Sequence, residues 1–160
     1  MELHNTKIDI AKAKREKLIA ILNQSLADAA DLKSQAKQAH WNVKGASFIA
    51  LHELFDQVAT EMDTHTDDIA ERITTLGGVA MGTVRLAAEN SSLSEYPHEI
   101  SDGTAHVDAL SSVMADFGKK VRKNIDVTDE LGDKDTADLY TGVSRSVDKL
   151  LWFVEAHNQA

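Results

Sequence analysis

Five side chains in the first half of the chain have the types and spacing to hold a metal ion: His40, His52, Asp56, Asp67 and Glu71. Four of them fall in one apolar-periodic segment. On a helix turning about 100° per residue, with His52 as origin, Asp56 lies near 40°, Asp67 near 60° and Glu71 near 100°. His52 and Asp56 form one i, i+4 pair, Asp67 and Glu71 another, and each pair can present two ligand atoms together. Either pair alone is the ordinary pattern of a solvated face. Four ligands on one arc, with Phe55, Val58 and Ile69 elsewhere on the helix, is a stronger signal. His40 and His52 are also equidistant in sequence from Ala46, so an antiparallel hairpin folded there brings the two imidazoles level.

Length then sets a constraint. His52 and Asp67 are separated by about 22 Å along a continuous helix, so the two pairs cannot share one ion within a chain. They can if a second copy of the helix lies antiparallel across a two-fold axis, giving two equal sites. That axis should pass close to Glu61 and Met62, midway between the pairs. Di-iron bundles that complete their site inside one subunit use Glu-x-x-His motifs on helices. The four long helical segments here carry none, which favours the shared site.

Mixed imidazole and carboxylate donors suit Fe(II), with Mn(II) and Zn(II) as substitutes. With few ligands per ion there is room for an oxidant, and the carboxylates favour the Fe(III) that forms. That is ferroxidase chemistry. The chain has no cysteine, which excludes thiolate sites and disulfides. Its formal charge of −9 repels nucleic acid unless basic groups are concentrated, and it either attracts cations or simply keeps the protein soluble. No secretory signal or membrane-spanning run is visible, so a cytoplasmic protein is expected.

At 160 residues with a single proline, Pro97, one all-α domain over 1–160 is expected, its residues 1–9 forming a short N-terminal tail. Apolar spacing predicts a first helix over Ile10–Asn42, broken at Gly45. A second follows from an N-cap at Ser47 to Leu76, stopped by Gly77-Gly78. An irregular stretch comes next, with a short helical piece near Leu86–Asn90. The third helix begins at Asp102 or Gly103 and runs through Ile125. A turn at Leu131-Gly132-Asp133 leads to the fourth, over Thr136–His157. The long connection between helices two and three fits a crossover bundle of the ferritin-like kind.

The run His40-Trp41-Asn42-Val43-Lys44-Gly45, continued by Phe48-Ile49-Ala50-Leu51-His52-Glu53-Leu54-Phe55-Asp56, resembles the first hallmark of the Dps family, the mini-ferritins. Asp67-Asp68-Ile69-Ala70-Glu71-Arg72 with Leu76-Gly77-Gly78 is similar to the second, and Asp135–Phe153 is similar to that family's last helix. The resemblance implies a homo-dodecamer of 23 symmetry that stores iron and protects against oxidative damage. It implies a ferroxidase site at each two-fold interface, with His40, His52 and Asp56 from one subunit and Asp67 and Glu71 from its neighbour. Hydrogen peroxide would be preferred to dioxygen. Trp41 would sit beside the site, either donating an electron to stray oxidant or closing the helix hairpin as a core aromatic. Asp133 and Asp138 would line three-fold pores that admit iron, or serve as ordinary carboxylates at a helix start.

DNA-condensing relatives carry a Lys-rich N-terminal tail. Here Lys7 stands against Glu2 and Asp9, and Lys12, Lys14, Arg15 and Lys17 already belong to the first helix, so weak or absent DNA binding is expected. The alternative functions are a nucleoid-associated protein that coats DNA, with iron chemistry secondary, and a helical interaction module that binds no metal.

Overall fold

The computed structural model describes residues 3–159; Met1 and Glu2 of the expected tail lie outside the described residues. Five helices follow in order: α1 (Lys12–Asn42), α2 (Phe48–Thr75), α3 (Val84–Asn90), α4 (Gly103–Glu130) and α5 (Lys134–Glu155). Among the described residues there is no strand, and one isolated bridge joins Lys44 to Asp102. The four long helices make the all-α bundle expected, and the crossover from 76 to 102 carries the short α3.

α1 packs along α2 and α4 along α5, each pair joined by a short turn, and α1 also meets α4 as α2 meets α5. The core between them is aliphatic with a few aromatics: Leu18, Leu22, Leu26 and Leu32 of α1, Phe55, Met62 and Ile69 of α2, Leu110 and Phe117 of α4, Tyr140 and Val147 of α5. Met62 is fully buried, so at the midpoint of α2 it is Glu61, not Met62, that keeps some exposure toward any neighbour.

Two helix ends use the same device. Beyond α2, Gly77 adopts φ +86° while the Gly78 amide donates to Ile73 O at 2.9 Å and the Gly77 amide to Thr74 O at 2.9 Å. Beyond α4, Gly132 adopts φ +84° with Asp133 N donating to Thr128 O at 3.1 Å and Gly132 N to Asp129 O at 2.8 Å. Both are left-handed glycine caps that satisfy the carbonyls a helix end leaves free. Asp133 then caps α5, accepting from Thr136 N, which starts that helix two residues earlier than apolar spacing alone suggested. Ser47 stands at the N-cap position of α2 without a side-chain capping bond.

The crossover is lashed to α1 by polar side chains. Asn23 pairs with the backbone of Val79 and Met81, Gln24 donates to Asn90 O, and Gln35 donates to Ser94 O. Asp28, 2 % exposed, accepts from Ser92 N at 2.7 Å and from the Ser92 hydroxyl. Past Pro97 the chain returns to the α1–α2 turn, where Lys44 N donates to Ser101 O at 2.8 Å. Residues 96–106 are thereby fixed at the end of the bundle that carries His40 and His52.

Candidate metal centre

His40 sits in the last turn of α1, where a helix leaves its carbonyls without intrahelical partners. His52 of α2 uses this: its Nδ1 donates to His40 O at 2.8 Å, and His40 Nδ1 donates to His52 O at 2.7 Å. A carbonyl only accepts, so both Nδ1 atoms carry a proton, and the neutral form of each ring has its lone pair on Nε2, the nitrogen open to a metal. The rings stack with centroids 3.7 Å apart and an interplanar angle of 20°. Two imidazoles are thus oriented by the backbone, at the level the hairpin spacing required.

One turn along α2, Asp56 is half-buried and pairs with Lys37 Nζ of α1 at 2.5 Å. The hydrogen bond from Lys37 holds the carboxyl below its ordinary value; desolvation opposes, and the charge of Lys37 and the two histidines adds to the lowering. Asp56 is therefore an anion at neutral pH. Lys37 escaped the sequence reading, although the hairpin that sets His40 against His52 also sets Lys37 against Phe55 and Asp56.

Asp67 and Glu71 lie on the same helix, both exposed and with no side-chain partner among the described residues. Glu71 opens onto a groove of about 470 Å³ between α2 and α5, shared with His65, Asp68 and Asp138. Within one chain, no three His, Asp or Glu side chains among the described residues converge closely enough to hold an ion. The helix that carries the four expected ligands is continuous from Phe48 to Thr75, so the two pairs stand as far apart along it as the sequence reading supposed. The chain's Glu-x-x-His, Glu95-Tyr96-Pro97-His98, lies in the crossover rather than on a helix; both side chains are exposed and bond each other at 3.2 Å.

Two assignments change. Trp41 is 67 % exposed and packs in no core, with Lys37 Nζ 6.0 Å from its ring centroid. The hairpin is closed instead by Val43 and Leu51, which are buried. Asp133 is 3 % exposed and committed. It caps α5, accepts from the Thr136 hydroxyl, and receives Arg72 Nη2 on both oxygens at 2.8 and 2.9 Å. Burial would raise its pKa, but the Thr136 bonds and the Arg72 pair outweigh it and hold the carboxyl below the ordinary range. Of the two acids expected to line the pore, Asp133 and Asp138, only Asp138 keeps an exposed carboxylate.

Known proteins place the chain. The ferritin-like domain family matches residues 19–160. The DNA protection during starvation protein of Agrobacterium fabrum is 46 % identical over 159 residues, covering 99 % of this chain and 98 % of that protein. The protein of the same name from Brevibacillus brevis is 33 % identical, covering 91 % and 97 %. Among solved structures, DpsA14 from Streptomyces coelicolor superposes with a TM-score of 0.94 at 33 % identity, over all of this chain and 96 % of that one. Mycobacterium smegmatis Dps superposes with a TM-score of 0.93 at 30 % identity, over 98 % and 96 %. With a ferritin-like bundle over its length and this degree of identity to Dps proteins, the chain belongs to the Dps family.

Proposed function

We propose that this protein is a mini-ferritin ferroxidase: twelve copies form a hollow shell that oxidises Fe(II), with hydrogen peroxide preferred to dioxygen, and stores the ferric product. The observation that carries the reading is the half-built site on the α1–α2 hairpin. His40 and His52 are locked by reciprocal bonds with Nε2 free, Asp56 is ionised beside them, and the set is too small to hold iron alone. A second α2 lying antiparallel supplies Asp67 and Glu71 as the missing carboxylates, and each two-fold contact then holds two equivalent sites.

Iron is the substrate in this scheme. The imidazoles and carboxylates bind Fe(II), Lys37 yields Asp56 to it, and the remaining positions admit the oxidant. Carboxylate donors stabilise Fe(III) over Fe(II), which lowers the barrier to losing the electron. Asp138, in one groove with Glu71, offers an exposed acid on the approach to the shared site. Consuming Fe(II) and peroxide together removes both reactants that generate damaging radicals. We read the name of its relatives, DNA protection during starvation protein, in that chemical sense. A chain of charge −9 opposes coating of DNA, and no helix among the described residues is long and apolar enough to cross a membrane. Such an enzyme acts in the cytoplasm, and gel retardation of duplex by iron-free protein separates this reading from nucleoid coating.

Stopped-flow oxidation of Fe(II), with peroxide and dioxygen compared, tests the proposal. His52→Ala should slow oxidation about tenfold or more, the usual effect of losing part of a metal site's ligand set, while the assembly stays intact. Wild-type kinetics in an intact variant overturns the assignment.

A further inference from the structure

The chain contains two tyrosines, and both hydroxyls are buried, but their partners differ in kind. Tyr140 meets the Ser25 hydroxyl at 2.8 Å, with the Asn124 amide on the same serine. Neither partner is a base. Tyr96, 4 % exposed, lies 2.7 Å from Nδ1 of His106, itself 1 % exposed.

The direction of that bond follows from counting. If His106 Nδ1 donated, the phenol proton would have no acceptor among the described residues, and the Nε2 lone pair would be buried without a partner. If Tyr96 donates, one N–H alone is left over, near the backbone at Ile100 and Asn42. The second arrangement orphans fewer groups, so the phenol points its proton at a basic nitrogen. Burial pushes the His106 pKa down, with the nearby backbone and Asp102 opposing, so the ring is neutral and able to accept a proton. Burial likewise pushes the Tyr96 phenol up, keeping it protonated at rest.

Position links the pair to the hairpin. The α4 start is bonded to the α1–α2 turn through Lys44 and Ser101, and the His106 ring centroid is 6.4 Å from that of Phe55, the neighbour of Asp56. A single aromatic ring therefore separates the pair from the helix turn that carries two of the five proposed ligands.

We propose that Tyr96 and His106 form a redox pair in which the buried phenol gives one electron to a strong oxidant generated at the hairpin while its proton passes to His106 Nδ1. The oxidant is the hydroxyl radical that one Fe(II) makes from one peroxide; in this respect the proposal rests on the ferroxidase reading. The radical takes the electron and becomes hydroxide. The Tyr96 O–H bond breaks, the His106 N–H bond forms, and the products are a neutral phenoxyl and an imidazolium close to Asp102. One electron from a further Fe(II), with the proton returned from His106, restores the phenol and yields Fe(III). An oxidised phenol is a strong acid, so its oxidation is eased where a base stands within hydrogen-bond reach. Tyr96 has that base and Tyr140 does not.

The test has an iron arm and an iron-free arm, both on the assembled protein. In the first, samples frozen after Fe(II) and peroxide are mixed are examined by electron paramagnetic resonance. A tyrosyl signal is expected in wild type and in Tyr140→Phe, and its loss in Tyr96→Phe. In the second, azide radicals from pulse radiolysis oxidise the exposed indoles of Trp41 and Trp152. Phenoxyl absorption should grow as indolyl absorption decays in wild type and Tyr140→Phe, but not in Tyr96→Phe. His106→Gln, which keeps a bonding partner but removes the base, should slow that growth about tenfold or more. A phenoxyl that survives Tyr96→Phe, or vanishes in Tyr140→Phe, overturns the proposal. So does unchanged growth in His106→Gln. A Tyr96 phenoxyl in the iron-free arm, beside a wild type that oxidises no iron, upholds the pair and overturns the ferroxidase reading instead.

Discussion

Along α2, His52 and Asp56 are held by α1, whereas Asp67 and Glu71, about four turns further on, expose carboxylates that no side chain among the described residues engages. The first half is oriented in advance: imidazole rings locked by carbonyls, a carboxylate kept ionised by a lysine. The second half is held only through its backbone, by the Gly77 cap and by the Arg72–Asp133 pair that fastens the last turns of α2 to α5. A chain that meant to close its own site would order both halves. This one orders the half on its own hairpin and leaves the other exposed, the arrangement that the proposed contact between identical copies calls for.

Mixing two crippled chains would break or sharpen that contrast most strongly. His52→Ala/Asp56→Ala disables the first half and Asp67→Ala/Glu71→Ala the second, and each alone should abolish rapid Fe(II) oxidation. Co-assembled in equal amounts, mixed two-fold pairs contain one site with both halves intact, so about a quarter of wild-type activity should return. Absence of rescue in particles shown to be mixed means that the halves do not meet across a two-fold.

Asp133→Ala addresses the backbone tether of the second half. Losing a helix cap and one member of a mostly buried ion pair should lower stability by about 2–4 kcal/mol, read as the urea midpoint at fixed protein concentration. Because the folded carboxyl titrates below its ordinary 3.8, its contribution is complete above that pH and fades as pH falls through the folded value. The gap between variant and wild type should therefore close in strong acid. A gap that persists there assigns the effect to packing rather than charge.

Lys37→Met concerns the first half and should have the smallest effect. Removing the cation that holds Asp56 leaves the carboxylate free, so Fe(II) should bind a few-fold more tightly, on the order of 1 kcal/mol for an exposed pair. Titration of Fe(II) without oxidant measures it, and weaker binding would make Lys37 a support for Asp56 rather than a competitor.

Much of this was readable before the structure. The bundle follows from apolar residues at helical spacing and from glycines at the two ends that need left-handed backbone. The level pairing of His40 with His52 follows from their placement about Ala46. What hid was polar burial. The apolar stripe of α1 says nothing of Asn23, Gln24, Asp28 and Gln35, yet they face the crossover, whose backbone needs partners wherever it is not helical. Asp133 read as an acid available to a pore because its partner Arg72 is 61 residues away. Trp41 could be core or surface on spacing alone, since the end of a hairpin offers an aromatic both environments.

The reciprocal bonds between His40 and His52 also bear on the order in which the site comes into being. They close a loop of only twelve residues, for which the entropic cost of bringing the ends together is small, and both belong to the N-terminal hairpin. Local contacts of that kind form early, ahead of the long return through the crossover. During synthesis the paired imidazoles can be in place once α2 has emerged, while α4, α5 and any neighbouring copy are still to come. The first half of the proposed site is thus a property of the nascent hairpin; on the ferroxidase reading, completing it waits on assembly, which would keep iron oxidation out of reach of the unassembled chain.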